Sequence, residues 1–176
     1  LRGTCCGTRA AMIRIASRRR LLSDGAKIAA SVPRIMDAKT ANDLLQLHKD
    51  NAEAMGPHQV SLCWNTLGKF ARHNAAERDW MKQALKRDKA LLDPLVKSTL
   101  HQLPLMNAAN CSGVVYGLAL VNSATRFSVS SAVLKALARK STRCVESPDV
   151  SPTPVELALI AYSFAFLQRR SSKLFT

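Results

Sequence analysis

The sequence predicts an all-α protein: a right-handed, solenoid-like stack of about three antiparallel helix pairs with a basic N-terminal extension. First, a helix-length apolar segment recurs, in which the small residues Gly68, Gly117 and Ser163 stand 49 and 46 residues apart beside aromatic residues. Second, apolar residues in these segments recur at three- and four-residue steps, as on one face of a helix. Third, no segment of the sequence shows the period-two alternation of a strand.

Composition divides the chain of 176 residues into a basic arm at 1–36, a helical-repeat domain at 37–170 and a C-terminal tail at 171–176. The length is sufficient for one domain with a substantial core. Twenty-six Lys and Arg oppose twelve Asp and Glu, which gives a formal net charge of +14. This surplus predicts a polyanionic partner, either nucleic acid or an anionic membrane surface.

The arm contains eight basic residues and one acidic residue, Asp24, and so carries half of the net charge. Its Arg-rich, Ser-rich and acid-poor composition is typical of organellar transit peptides, and residues 12–22 have amphipathic character. We therefore expect the mitochondrial matrix as the location, with the plastid as second choice. The other interpretation is an arm that is retained on a phosphate surface. Contacts there would offset an ordering cost of about 1–2 kcal/mol per residue.

The first predicted helix pair begins near Thr40, where Asp43 three residues on completes a weak capping box. The break at 55–57 ends this helix, and Pro57 suits the opening turn of the next, which runs to about His73. Gly68 inside that second helix costs about 1 kcal/mol of helix propensity relative to Ala, and we interpret it as the site of a closely packed neighbouring helix. The apolar face of the second helix is predicted to consist of Val60, Cys63, Trp64, Leu67, Phe70 and Ala71.

The second unit extends from about residue 75 to 121, and its charged first part is expected to bury Trp80, Leu85 and Leu92. Asp93–Pro94 marks a boundary or a kink, because the residue before a proline avoids helical geometry. A further helix stops near Pro104. Asn107 is the predicted N-cap of the apolar helix that follows.

The third unit begins after Arg126, with Ser128 as the expected cap of a helix that turns Val133 and Leu137 inward. A loop rich in proline separates it from the last helix. Thr153, Pro154 and Glu156 supply the N-cap, N1 and N3 residues of a capping box, the strongest local signal in the sequence. This last helix is predicted to run to about Arg169.

The sequence contains no recognisable catalytic pattern, so we predict that the protein is not an enzyme. Its four histidines have no metal-ligand spacing, and it contains no glycine-rich phosphate loop, nucleophile elbow or paired-carboxylate motif. The five cysteines form neither a disulfide framework nor a CxxC pair, which favours a reducing compartment. We therefore expect no cofactor, no metal and no small-molecule substrate. The apolar stretches are also too short or too interrupted to span a membrane.

Three segments resemble the paired-helix repeats of organellar RNA-binding proteins of the octotricopeptide-repeat, FAST-kinase-like and RAP-domain type. They read LLQL at 44–47, VSLCWNTLGKFA at 60–71 and VELALIAYSFA at 155–165. In that class the second helix often carries an apolar stretch with a Leu-Ala-Lys-like or Phe-Ala-like end. The resemblance covers about residues 33–168. It implies a helical-repeat scaffold that binds RNA in mitochondria or plastids, and it assigns no individual contact residue.

The favoured hypothesis is a non-catalytic structural component of a mitochondrial ribosome that contacts rRNA through phosphates and adjoins other proteins of that assembly. A protein-interaction scaffold, such as an accessory subunit of a respiratory complex, is the alternative. Peripheral membrane binding through residues 12–30 is a third interpretation. The candidate RNA-binding residues are the basic side chains of the arm and the outward basic groups of the repeats: Arg14, Arg18, Arg19, Arg20, Lys27, Arg34, Lys86, Arg87, Arg139, Lys140, Arg169 and Arg170.

Overall fold

The computed structural model describes residues 34–146 and 152–170, which lie within one compact unit. All regular structure in these residues is helical, as the sequence predicts. Two short 3-10 helices, Ile35–Asp37 and Leu103–Leu105, accompany the α-helices. The α-helices of the described residues are α1 (Ala41–Asn51), α2 (Pro57–His73), α3 (Ala75–Arg87), α4 (Asp93–Gln102), α5 (Ala108–Thr125), α6 (Ser131–Glu146) and α7 (Pro154–Arg170).

Helix α5 lies at the centre of the described fold. Its most extensive contacts are with α2, and its next most extensive are with α7. Helices α3 and α6 also pack on it, while α1 and α4 pack on α2 and on each other. Because α5 has neighbours on several sides, most of its side chains are buried, and it is apolar around its circumference.

Glycines allow α2 and α5 to approach closely. A Cβ atom at Gly117 would lie 2.9 Å from the backbone nitrogen of Asn65 and closer still to the carbonyl of Trp64. A Cβ atom at Gly68 would lie 3.1 Å from the Cα atom of Gly117. The prediction that Gly68 marks a close helix contact is therefore confirmed. Ser163, the third matched small residue, is fully buried in α7.

The predicted helix starts agree with the hydrogen bonds for three helices. Thr40 Oγ1 accepts from the backbone N–H of Asp43 at the start of α1, and Asn107 Oδ1 accepts from Asn110 N–H at the start of α5. Both bonds of the capping box at α7 are present. Thr153 N–H donates to Glu156 Oε2 at 2.7 Å, and Glu156 N–H donates to Thr153 Oγ1 at 3.3 Å.

Other local predictions need correction. The cap of α6 is Ser130 and not Ser128, since Ser130 Oγ accepts from Val133 N–H at 3.4 Å and the helix begins at Ser131. At Asp93–Pro94 the structure shows a boundary and not a kink, since both residues lie in the first turn of a separate helix, α4. The second unit therefore contains three helices, α3 to α5, and not a single pair.

The predicted buried residues of α3 also differ from the observed ones. Trp80 and Leu85 are only half-buried, and the fully buried side chain of this helix is Met81, whereas Leu92 is buried as expected. Most of the predicted apolar face of α2 is buried, with Phe70 half-buried. Trp64 is fully buried, and its Nε1 donates to Thr99 Oγ1 of α4 at 2.8 Å.

The aromatic residues of the three recurring segments have different environments. Trp64 of α2 is fully buried, Tyr116 of α5 is half-buried and Tyr162 of α7 is 57% exposed. The outer face of α7 also exposes Val155 and Leu157. No helix among the described residues is long and apolar enough to cross a membrane.

Candidate nucleic-acid interface

Many of the predicted contact residues lie outside the described parts of the chain. Residue 34 is the first that is described, and Arg34 is exposed immediately before the first 3-10 helix. The last turn of α7 contains the final pair of predicted residues, whose side chains are not described. The predicted residues without a described side chain are Arg14, Arg18, Arg19, Arg20, Lys27, Arg169 and Arg170.

The predicted basic residues with described side chains do not form one cluster. Arg87 and Arg139 are exposed on α3 and α6. Lys140 is half-buried, and its Nζ donates to the carbonyl of Pro104 at 2.9 Å, so this lysine helps to hold α6 against the segment after α4. Of the predicted residues whose side chains are described, Lys86 is the one that borders a cavity.

That cavity, here called the basic groove, lies between α3 and the segment from the end of α5 to Ser128. Its volume is about 750 Å³. The half-buried side chains of Leu85 and Phe127 contribute apolar surface. Among the described residues that line the groove none is acidic, and the basic ones are Lys82, Lys86, Lys89 and Arg126.

The basic side of α3 follows from the spacing of its residues. Arg78, Lys82 and Lys86 stand at four-residue steps and therefore share a face of the helix. The start of α3 is fixed by Asn74 Oδ1, which accepts from Glu77 N–H at 3.2 Å. Glu77 Oε2 in turn accepts from the backbone N–H of Ala41 at 2.7 Å. These two hydrogen bonds stabilise α3 against the start of α1 and orient its basic face.

Arg126 contributes the fourth cation from an unusual backbone conformation. Its φ of 64° and ψ of 14° lie in the left-handed region, which glycine usually occupies at the end of a helix. An L-residue in this conformation costs about 1–2 kcal/mol. The Arg126 N–H closes α5 by donating to the Asn122 carbonyl at 2.9 Å, and Asn122 Nδ2 donates to the Phe127 carbonyl at 2.6 Å. Glycine would adopt this conformation at lower cost, so the backbone conformation does not explain why residue 126 is an arginine.

The charge balance of the groove favours an anion. The carboxyl ends of α3 and α5 lie beside it, and a helix carboxyl end carries about −0.5 elementary charge. Four formal positive charges exceed these partial charges. Lys82 Nζ lies 3.2 Å from Asp79 Oδ1, but both side chains are exposed, and such pairs contribute little. The groove therefore retains a net positive field.

A second cavity, here called the aromatic cavity, adjoins the basic groove, because Ser123 and Ala124 line both. It has a volume of about 440 Å³ and lies among α2, α3, α5 and α7. Tyr162 and Phe166 of α7 line it, with ring centroids 6.3 Å apart and ring planes 26° apart. This geometry is an offset-stacked pair that presents ring surface to the cavity.

Two arginines also border the aromatic cavity. Arg72, in the last turn of α2, donates from Nη1 to Tyr116 Oη at 3.1 Å, which orients its guanidinium. Arg78 lies in the first turn of α3, where the helix dipole opposes a positive charge. Helix stability therefore does not account for Arg78. The described lining of this cavity, like that of the groove, contains no acidic residue.

Five basic residues that line the two cavities were not predicted as contact residues from the sequence: Arg72, Arg78, Lys82, Lys89 and Arg126. The four-residue steps from Arg78 to Lys86 are a signal that could have indicated a basic helix face. No comparable signal joins Arg126 to that face, because the contact depends on how α3 packs on α5.

Two cysteine thiols among the described residues are buried in the core. Burial raises the pKa of the Cys63 thiol to about 12. Burial, with Cys144 as a neighbour, raises the pKa of the Cys111 thiol to about 12. Both thiols are therefore protonated at neutral pH, and they pack as small apolar residues. No group of three or more His, Cys, Asp and Glu in the described segments is arranged to hold a metal ion.

No protein-family model, curated protein or solved structure matches this chain.

Proposed function

We propose that the protein is a non-catalytic RNA-binding helical-repeat protein of mitochondria, a structural component of the ribosome there that contacts rRNA through phosphates. The observation that carries the proposal is the basic groove. There Lys82 and Lys86 of α3, Lys89 of the turn after α3 and Arg126 at the C-cap of α5 converge, without a lining carboxylate among the described residues. Lys and Arg side chains with this arrangement neutralise phosphates and release counterions.

The arm and the helix packing support the same proposal. The arm carries eight basic residues against one acidic residue in a composition typical of import signals. If it is retained, it supplies further cations to the same RNA. The successive packing of α2, α5 and α7 supports a solenoid-like stack of helix pairs, with the right-handed, antiparallel arrangement as the proposed form.

Arg126→Gly separates RNA binding from folding. Glycine adopts the left-handed conformation of residue 126 without steric cost, although it gains entropy in the unfolded chain. We expect the free energy of unfolding to stay unchanged or to rise by up to about 1 kcal/mol. The same variant lacks one groove cation. Its affinity for single-stranded RNA should fall, and the slope of log affinity against log salt should become less steep by about 0.7.

Lys97→Gln is the matched control, because Lys97 is exposed on α4 and lines neither cavity. Its salt slope should equal that of the wild type. Lys86→Gln should behave like Arg126→Gly. Filter binding across a salt series measures all three variants. An equal salt slope for Arg126→Gly, Lys86→Gln and the wild type would contradict the proposal that the basic groove binds RNA phosphates.

A protein-interaction scaffold is a second candidate function, and the outer face of α7 favours it. Val155 is 66% exposed and Leu157 is 39% exposed on a helix with a single charged residue between positions 154 and 167. An exposed apolar face of this kind is typical of a surface that packs on a partner. If the scaffold function is correct, RNase treatment of an extract should leave the assembly size unchanged.

A further inference from the structure

We infer that the aromatic cavity receives an unstacked nucleobase, so that the ligand of the adjoining groove is single-stranded RNA and not duplex. The inference rests on the proposed RNA-binding function and adds the class of RNA. It combines two cavities with different chemistry: a basic groove suited to a phosphate backbone and an aromatic cavity suited to a base.

The stacked pair Tyr162–Phe166 supplies the surface on which a base would stack. Proteins that bind single strands combine a positively charged groove with aromatic side chains, because every base has a π-face. Tyr162 lines the aromatic cavity and is 57% exposed, so its ring surface is accessible from solvent. An aromatic ring that stays exposed to solvent in the folded protein has hydrophobic contact area available for a ligand.

Polar groups at the aromatic cavity fit the rest of a nucleotide. Arg72 uses one N–H on Tyr116, and a guanidinium has five such donors, so others remain for a phosphate or a base edge. Arg78 lies across the cavity on α3. The exposed hydroxyl of Ser123 lies where the two cavities meet and can accept or donate a hydrogen bond.

The continuity of the two cavities explains why a single strand fits better than a duplex. A strand whose phosphates follow Lys82, Lys86 and Arg126 can turn a base past Ser123 towards Tyr162. In an A-form duplex the bases are stacked on each other and paired, so they cannot reach the ring pair without being extruded. A duplex therefore uses the phosphate contacts alone.

The test compares three RNAs of about a dozen nucleotides, within the site sizes of single-strand binders: a uridine oligonucleotide, the same backbone with abasic sites throughout, and a duplex. Fluorescence anisotropy of the full chain measures each affinity. We expect the wild type to bind the uridine strand about 5- to 140-fold more tightly than the abasic strand, since stacking of a base on an aromatic side chain contributes about 1–3 kcal/mol.

Tyr162→Ala should remove most of this preference and leave the affinity for the abasic strand and for the duplex unchanged. Tyr162→Phe keeps the ring and should retain the preference. Val155→Ala is the matched control, because it also removes an exposed apolar side chain from α7 but lies outside both cavities. Because both side chains are exposed, the substitutions leave the core intact, which circular dichroism and thermal unfolding verify.

The outcomes distinguish this inference from the proposed function. Arg126→Gly could weaken binding to every RNA while Tyr162→Ala leaves the uridine preference intact. In that case the inference that a base stacks on α7 is wrong, and the proposal that the groove binds phosphates is retained. A wild type with equal affinities for the uridine and abasic strands would overturn base stacking in the same way. If none of the RNAs binds with a salt dependence, both fail together.

Discussion

Two buried polar side chains of the described core, His48 and Thr99, form hydrogen bonds that join one helix to another. His48 of α1 is 1% exposed, and its Nε2 lies 3.1 Å from Ser98 Oγ of α4. Thr99, the next residue of α4, accepts from Trp64 and donates from Oγ1 to the Leu95 carbonyl at 2.7 Å. Because an unpaired polar group in the core costs about 1–3 kcal/mol, these pairs fix which residues of α4 face α1 and α2.

His48 makes stability depend on pH. Burial lowers its pKa below the ordinary value of 6.5, because the core disfavours the charged imidazolium. Between the two values the unfolded chain binds more protons, so the contribution of neutral His48 is fully present above pH 6.5 and is lost as the pH falls towards the lowered pKa. The unfolding free energy should fall by up to about 1.4 kcal/mol per pH unit in this window.

Urea unfolding at a series of pH values measures this slope. His48→Gln retains a hydrogen-bonding side chain without the titration, so its slope below pH 6.5 should be shallower than that of the wild type. His101→Gln is the control, since His101 is exposed on α4. The three proteins contain the same carboxylates. Identical slopes for the wild type and His48→Gln would show that burial of this imidazole does not contribute to the pH dependence of stability.

At the scale of the helices, the contact between α2 and α5 organises the described fold. Glycines at 68, 113 and 117 remove side chains where the two backbones approach. Each glycine costs about 1 kcal/mol of helix propensity relative to Ala. The close approach recovers this cost by burying Trp64, Leu67 and Val114 on either side of the glycines.

Gly117→Ala should lower the free energy of unfolding by about 1–3 kcal/mol, because the new methyl group overlaps the backbone of Trp64 and Asn65 and forces the helices apart. This net loss already includes the gain of about 1 kcal/mol in helix propensity. Urea denaturation monitored by circular dichroism measures the change.

Gly113→Ala in a Ser61→Ala background is the matched comparison. At Gly113 the overlapping atom is the hydroxyl of Ser61, which that background removes, while the remaining neighbours lie 3.7 Å away. This second alanine should leave stability equal to that of Ser61→Ala or raise it by up to about 1 kcal/mol. If Gly117→Ala is as stable as the wild type, the close approach of α2 and α5 is not required.

At the scale of the whole molecule, the charge is divided between two parts of the chain. Residues 1–36 carry a net charge of +7, and the other 140 residues carry the remaining +7 over a much longer stretch. In the helical part, four cations from α3, the turn after it and the C-cap of α5 line the groove. We propose that the arm and the groove bind phosphates of the same RNA, so their contributions to the salt dependence add.

Replacing Arg18, Arg19 and Arg20 together by Gln should make the salt slope less steep by about 2, since each lost phosphate contact in single-stranded RNA contributes about 0.7. Filter binding of the full chain measures the slope. The control replaces Lys49, Lys97 and Lys135, three exposed lysines outside both cavities, and removes the same charge. An equal change in the two triple variants would mean that only total charge matters and that the arm has no phosphate contacts of its own.

Local signals were sufficient for much of the fold. Thr40, Asn107 and Thr153 cap their helices as predicted, because the capping bonds connect residues three positions apart. Gly68 indicated a close helix contact through its cost to the helix. Predictions that depended on burial were weaker. Met81 is the buried residue of α3 where Trp80 and Leu85 were expected, since the side of an amphipathic helix that is covered depends on its neighbours.

The sequence by itself determined that the described chain is helical, where several of its helices begin and that it carries a large positive charge, because these properties depend on neighbouring residues and composition. The tertiary structure decided which charges act together. Of the described residues that line the basic groove, only Lys86 was predicted, and the packing of α3 on α5 places Arg126 on the same groove. The packing of α2 and α7 on α5 places Arg72 and Tyr162 on the aromatic cavity. Residues far apart in sequence meet through the packing of whole helices, and no local pattern records that packing.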